Sequence, residues 1–524
     1  MDPVGTITWI VLFVITTVAV TGIVGRLGWS APVALVVVGG AVSFIPGVPE
    51  IEVQPELILY GILPPLLFAA AIRTSLIDVR ARRDNILLLS VGLVAFTVVA
   101  VGFAAFALIP AITLAAAFAF AAVIAPTDAI AVTAIAGRLG LPRRVVTILE
   151  GESLLNDATA LVALNASIAA IVSVVTPAEI GSEFVIAVVV GTAVGLAAGW
   201  LVSLVRSRLH SPVLDTSLTL ITPFAAFLVG ELLQGSGVLA VVIAGLYLGY
   251  RAPTVASAEA RIAERLNWRT IQFLLENAVF LFIGLNLKSI LEGAMSAGPG
   301  FWETVAICIG ILAALVVSRF AWVMGMTLLY HKGPRHLRDR GWTWRGGVAV
   351  SSAGVRGVVT LAAVFLLPVE TPSRAYLQLI AFVVVVASLL GGLALPAIIR
   401  WLKLPKPSLG QELTERRLLL AEARQAGIEL LNARDLSEDE QHVAGLLRKD
   451  AGFLGETLET YGPDASIPQL AAKFRLRLAM LEAERAAVLR ARTEGRYQEA
   501  AVMDALLAID AEETALRAQY PREG

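Results

Sequence analysis

Ala125-Pro126-Thr127-Asp128 interrupts an apolar run that extends from residue 111 to 136. Pro126 has no N–H to give to a helix and its ring clashes with the turn before it, so the helix must break there, and the break carries a carboxylate. Carbonyls and half-helix ends freed at such a break are ready ligands for a cation; a plain proline kink capped by Thr127 and Asp128 is the alternative.

The next apolar run opens with Glu150-Gly151-Glu152-Ser153-Leu154-Leu155-Asn156-Asp157. At about 100° per residue, Glu150, Glu152, Ser153, Asn156 and Asp157 fall within one arc of roughly 160°, while Leu154 and Leu155 point elsewhere. Three carboxylates on one helix face require water, a cation or an arginine opposite. An acid-rich helix cap explains Glu150 and Glu152, but the run continues past Asp157. A further interruption, Ser351-Ser352-Ala353-Gly354-Val355-Arg356-Gly357, sets an arginine among glycines that loosen a helix. Because Arg356 cannot lose its proton, it reads as a fixed countercharge to the acidic face.

These polar insertions lie in a chain of 524 residues that is 57% hydrophobic and 16% charged, far more apolar than a soluble protein of that size. The bulk of it belongs in lipid. A net charge of −1 removes the electrostatic argument for nucleic acid as a partner. The single cysteine, Cys308, lies in an apolar stretch and reads as a packing residue. A cytoplasmic tail begins at Pro405: residues 405–524 hold 37 charged side chains, against 46 in the 404 residues before them.

A spanning helix needs roughly 20 mostly apolar residues. That criterion draws thirteen spans near 5–24, 32–46, 55–72, 85–109, 111–136, 143–173, 184–205, 216–233, 236–250, 268–288, 301–330, 346–367 and 375–400. The first follows Asp2 and precedes no small-residue cleavage pattern, so it reads as a retained span instead of a signal peptide. Basic residues collect after the odd-numbered spans, among them Arg73, Arg80, Arg82, Arg83, Arg206, Arg208 and Arg251. Glu50, Glu52, Glu56, Glu183, Glu231 and Glu370 follow the even-numbered ones. By the positive-inside rule the N-terminus is then outside and the C-terminus cytoplasmic. Spans 1–6 and 8–13 start on opposite sides, the inverted six-helix repeat of secondary carriers, in which the broken fifth and twelfth spans cross at mid-membrane.

Glu276 and Arg319 form a second set on the tenth and eleventh spans, read as a mutual pair that glues helices, with a place near the ion as the alternative. The four histidines, His210, His331, His336 and His442, fall in cytoplasmic loops or the tail, so a carboxylate must carry any intramembrane proton. A Cys/His cluster for zinc is missing, and Gly151-Glu152-Ser153 lacks the pattern of a nucleophilic serine, which argues against an enzyme. A channel would need a continuous polar pore, and broken helices in opposed repeats argue instead for alternating access.

Ala-Pro-Thr-Asp-Ala at 125–129, Glu-Gly-Glu-Ser-Leu-Leu-Asn-Asp at 150–157, Glu-Asn-Ala-Val-Phe-Leu-Phe-Ile-Gly-Leu at 276–285 and Gly-Val-Arg-Gly at 354–357 resemble the monovalent cation:proton antiporter family that includes the NhaP-type and NHE-type exchangers. The resemblance runs from about residue 5 to 404. It implies the NhaA-like all-α antiporter fold in a homodimer, where a rigid dimerisation domain holds a six-helix core that moves like an elevator. It implies that Asp157 binds cation and proton alternately, that Thr127, Asp128, Glu152 and Ser153 help to build the Na⁺ site, and that Arg356 binds Glu150 and Asn156. An Asn-Asp pair in this family implies electroneutral exchange of one cation for one proton. The chain departs from animal members after Pro64-Pro65-Leu66-Leu67-Phe68, where they place an acid and it has Ala69.

The expectation is a Na⁺ (or Li⁺)/H⁺ antiporter of the cell inner (plasma) membrane serving pH homeostasis, with no cofactor. K⁺/H⁺ exchange is the rival, since an all-oxygen site does not reveal its radius. From Gln411 onward, apolar residues at helical spacing read as three or four amphipathic helices broken near 435–437 and 461–463.

Overall fold

A computed structural model describes residues 3–27, 30–46, 48, 57–110, 112–128, 141–172, 177–297, 299–332, 343–404, 409–433, 441, 444, 467–494 and 499–519. The breaks expected at 435–437 and 461–463, His336, His442, and Glu50, Glu52 and Glu56 lie outside these residues. The chain divides into two compact units, Met1–Lys406 and Pro407–Gly524.

All regular structure among the described residues is helical. The first unit begins with α1 (Pro3–Leu27), α2 (Ala31–Ser43), a π-helical stretch (Leu57–Ile62) that runs into α3 (Leu63–Ala71), and the short α4 (Leu76–Ala81). Next come α5 (Arg83–Leu87), a second π-helical stretch (Leu88–Leu93) and α6 (Val94–Leu108), which form one rod, then α7 (Leu114–Ile124) and α8 (Arg143–Val172). They are followed by α9 (Pro177–Arg206), α10 (Pro212–Leu232), α11 (Gly237–Val255), α12 (Ala258–Leu285), α13 (Leu287–Ala297) and α14 (Phe301–Lys332). The unit closes with α15 (Trp344–Ser352), α16 (Val358–Val364), α17 (Arg374–Gly392) and α18 (Leu395–Leu402). Nine helices among the described residues are long and apolar enough to cross a membrane: α1, the 83–108 rod, α8, α9, α10, α11, α12, α14 and α17.

Several drawn boundaries need correction. The tenth span, placed at 268–288, belongs to a helix that starts ten residues earlier, because the Ser257 hydroxyl accepts from the Ala260 N–H (3.2 Å) and caps it there. An apolar criterion missed that first third, which is rich in charge. The thirteenth, placed at 375–400, is two helices, α17 and α18, separated by Leu393 and Ala394. The rod at 83–108 is wound as a π-helix in the middle; there the Trp322 indole of α14 donates to the Leu88 carbonyl (3.2 Å). The i→i+5 pattern shifts the backbone bonds there from the α-helical register.

Close crossings are made at glycine. A methyl at Gly195 of α9 would lie 2.5 Å from the Ala240 carbonyl oxygen of α11, and one at Gly191 2.6 Å from that of Ser236. Gly39 of α2 and Gly284 of α12 face each other in the same way, each meeting the partner's backbone oxygen at 2.5 and 2.6 Å. Without a driving force from water, close backbone packing of this kind, together with interhelical hydrogen bonds, associates helices in lipid.

A buried ion triad joins α9, α10 and α12. Arg206, counted in the sequence as a loop cation, is 1% exposed and holds Asp215 (2.6 and 3.2 Å) and Glu264 (3.0 and 3.3 Å). Counting charges along the chain does not separate a loop arginine from one that folds back under the bundle to meet two acids.

The second unit contains α19 (Leu409–Ala433), α20 (Ile467–Thr493) and α21 (Glu499–Gln519). Helices α20 and α21 are linked by exposed ion pairs: Arg477 with Glu512 (2.7 Å), and Arg485 with Asp510 (2.6 Å) and Glu513 (2.5 Å).

Candidate cation site

Two helices stop short and their continuing chains meet. Helix α7 ends at Ile124 and residues 125–128 leave the helix; α15 ends at Ser352 and the chain is non-helical to Gly357. The Asp128 N–H donates to the Val355 carbonyl at 2.7 Å, so backbone of one break satisfies backbone of the other. The Asp128 carboxylate lies directly over Gly357, in space that any β-carbon would occupy. The glycine is therefore needed for the close approach.

Arg356 is 4% exposed and works on backbone. Its Nε donates to the Ile124 carbonyl (3.3 Å), its Nη1 to the Gly354 carbonyl, and its own N–H goes to the Ser388 hydroxyl (3.0 Å). A fixed cation thus sits on the C-terminal end of α7, the favourable end for positive charge. The expected bond to Asn156 is absent: the Asn156 amide donates to the Thr127 carbonyl (3.1 Å) and hydroxyl (3.0 Å), and its buried Oδ1 has no partner. The break brings Thr127 close enough to take the amide that was assigned to arginine.

Arg319 supplies the second correction. It does not pair with Glu276; it binds Glu152 bidentately (2.6 and 3.1 Å) and also donates to the Val350 carbonyl (3.2 and 3.0 Å). Glu152 accepts a third bond from the Thr127 hydroxyl (3.0 Å). Both charges are buried, at 3% and 1% exposure, and Arg319 closes the C-terminal end of α15 as Arg356 closes α7. Glu152 thus faces arginine, not the cavity.

The cavity itself measures about 360 Å³. Asp128 and Thr127 of the break line it, with Glu150, Ser153 and Asp157 of α8. Residues 150, 153 and 157 follow the i, i+3, i+7 spacing of one helix stripe; 152 and 156 form a second stripe turned toward protein. Exposure grades inward, from exposed Glu150 and Arg73 through half-buried Asp128 and Glu276 to Asp157 at 8% and Thr127 at 6%. Across from α8, the wall carries Arg73, Gln272 and Glu276. Arg73 was read in the sequence only as a loop cation, and Gln272 went unnoticed, although it stands one helical turn before Glu276.

Every donor named at the end of the cavity is oxygen, the choice of a hard cation. Among the described residues no three His, Cys, Asp or Glu side chains converge as a chelating set.

Residues 12–401 match the transmembrane family of sodium/hydrogen exchangers. The chain is 31% identical over 527 residues to the uncharacterized Na⁺/H⁺ exchanger Rv2287 of Mycobacterium tuberculosis, covering 97% of this chain and 96% of that one. It is 32% identical over 375 residues to the sodium, potassium, lithium and rubidium/H⁺ antiporter of Bacillus subtilis, covering 68% of this chain and 55% of that one. The fold is similar to that of the sodium proton antiporter MjNhaP1 of Methanocaldococcus jannaschii, with a TM-score of 0.63 at 17% identity over 77% of this chain and all of that one.

Proposed function

The chain belongs to the sodium/hydrogen exchanger family, a family of secondary transporters and not of enzymes, and from that premise we propose that it exchanges Na⁺ or Li⁺ for H⁺ at Asp157. The observation that carries this reading is the cavity, in which exposed acid at the mouth leads to one deeply buried carboxylate beside the crossing of two broken helices. A cation and a proton compete for Asp157. With either bound, the local charge is neutral enough to cross the apolar barrier; with neither, an unpaired buried carboxylate makes the crossing costly. Asp128, Thr127 and Ser153 supply the other ligands, and Glu152 acts through Thr127 while paired with Arg319. One carboxylate exchanging one charge for another gives an electroneutral 1:1 cycle.

Thirteen spans in two inverted six-helix repeats, the N-terminus outside and the C-terminus cytoplasmic, are the topology we assign. Arg73, at the mouth, precedes the basic stretch Arg80, Arg82 and Arg83, which supports a cavity open to the cytoplasm. We assign the protein to the plasma membrane as a homodimer whose core slides against a fixed scaffold, with residues 405–524 as a cytoplasmic helical domain. K⁺ as the cargo is the second reading, favoured by the range of ions in the name of the Bacillus subtilis relative.

The test is dye-monitored ΔpH in proteoliposomes given Na⁺, Li⁺, K⁺ and choline in turn, with wild type beside Asp157→Ala and Asp157→Asn. Na⁺ or Li⁺ should collapse the gradient in wild type alone. Response to K⁺ alone changes the cargo. Substantial exchange in either variant refutes the role of Asp157.

A further inference from the structure

The exchange cycle above leaves one wall of the cavity unused. The Arg73 guanidinium, at the end of α3, donates through Nε to the Ala69 carbonyl (3.0 Å) and through Nη2 to the Gln272 amide oxygen. The Gln272 amide nitrogen in turn donates to Oε1 of Glu276, one turn along α12. Gln272 is 4% exposed, and both ends of its amide are committed, so it cannot flip without breaking two bonds. All three residues line the cavity.

An arginine and a glutamate that bond the two ends of one amide are a natural pair, and arginine and carboxylate left to themselves often close bidentately. Here an amide stands between them. Among the described residues Arg73 forms no ion pair, and Oε2 of Glu276 takes part in no hydrogen bond. The carboxylate is therefore held in a fixed direction by a neutral group while its charge stays available to the cavity.

Resting on the exchange reading, we infer that Arg73, Gln272 and Glu276 form a cation-docking station distinct from Asp157, with Gln272 as the spacer that keeps Arg73 from neutralising Glu276. An incoming monovalent cation passes exposed Glu150 at the mouth, docks at half-buried Glu276 and moves from it to Asp157 on the opposite wall. Removing the spacer lets Arg73 fall onto Glu276, which disables the station as fully as removing its charge.

The experiment measures Na⁺-dependent H⁺ flux in proteoliposomes for wild type, Glu276→Gln, Gln272→Ala and the double variant Gln272→Ala/Arg73→Gln, each checked for a wild-type elution profile and melting temperature. Glu276→Gln and Gln272→Ala should each raise the KM for Na⁺ by about tenfold, equivalent to ~1.4 kcal/mol, with a much smaller change in maximal rate. The double variant should return KM toward wild type, since nothing remains to neutralise Glu276; a structural role for Gln272 gives no such rescue. An unchanged KM in Gln272→Ala, or a failure of Arg73→Gln to rescue it, overturns the docking station alone. No cation-driven flux in wild type overturns the exchange reading and this one with it.

Discussion

Replacing Arg319 by methionine keeps most of the side-chain stem and removes the guanidinium, which makes it a direct measure of the ion pair under the crossing. The variant loses two hydrogen bonds to Glu152 and two to the Val350 carbonyl. Glu152 is left at 1% exposure with only the Thr127 hydroxyl as donor. Breaking a buried pair by removing one partner costs about 3–5 kcal/mol, and the surviving hydroxyl bond offsets ~1 kcal/mol of that. A net loss of about 3 kcal/mol is expected. Glu152→Gln strands the arginine instead, and the double variant, which strands no charge, should be more stable than the sum of the singles by about 2 kcal/mol. The assay is reversible unfolding in mixed micelles by titration with a denaturing detergent, followed by tryptophan fluorescence. Arg319→Met within ~0.5 kcal/mol of wild type, or additive single variants, would show that the pair is not what holds α8 to α14 and α15.

Gly357→Ala should displace the Asp128 carboxylate, because the new methyl occupies its place while the Asp128 N–H remains tied to Val355; KM for Na⁺ rises by about tenfold or more, and flux kinetics with unchanged affinity would refute the placement. Arg206→Lys cannot hold two carboxylates in bidentate fashion and should lower the melting temperature, with Asp215→Asn in the same chain recovering part of the loss. In the second unit, Arg485 and then Arg517 hold the Glu513 carboxyl below its ordinary value. A lowered folded-state value means that the stabilisation is present above the unfolded value of about 4.3 and is lost as pH falls through the folded one. Spin labels at exposed Met480 and Met503, with Cys308 replaced by alanine, should report a narrow distance distribution at neutral pH that broadens in the acidic range. Glu513→Gln should broaden it already at neutral pH.

The positions of the two breaks were legible because proline and glycine act locally: Pro126 cannot continue a helix in any context, and Gly354 and Gly357 weaken one. The stripe of Glu150, Ser153 and Asp157 was equally open to periodicity. What periodicity could not do was divide the polar arc of α8. Glu152 and Asn156 fall in the same half-turn as the cavity residues, and whether such a side chain meets water or an arginine depends on helices far away in sequence. Arg319 is 167 residues from Glu152, and nothing short of the packed bundle brings them together. For the same reason Glu276 looked like its natural partner, one span away and opposite in charge. The buried triad of Arg206 was hidden by the rule that oriented the chain, since a basic residue at a helix end counts as a loop residue until its neighbours are known.

The glycine crossings set a mechanical contrast within the bundle. Where α9 meets α11 and α2 meets α12, main chain rests on main chain, and sliding one rod along the other drives a carbonyl into the next side chain within a fraction of a turn. Those pairs behave as stiff plates. The two stretched segments at the crossing have no ladder of their own and share the Asp128–Val355 bond, with arginines serving as pins at the ends of α7 and α15. Load applied to the molecule would therefore be carried by the plates and would spare the pinned joint, keeping Thr127 and Asp128 in register with α8.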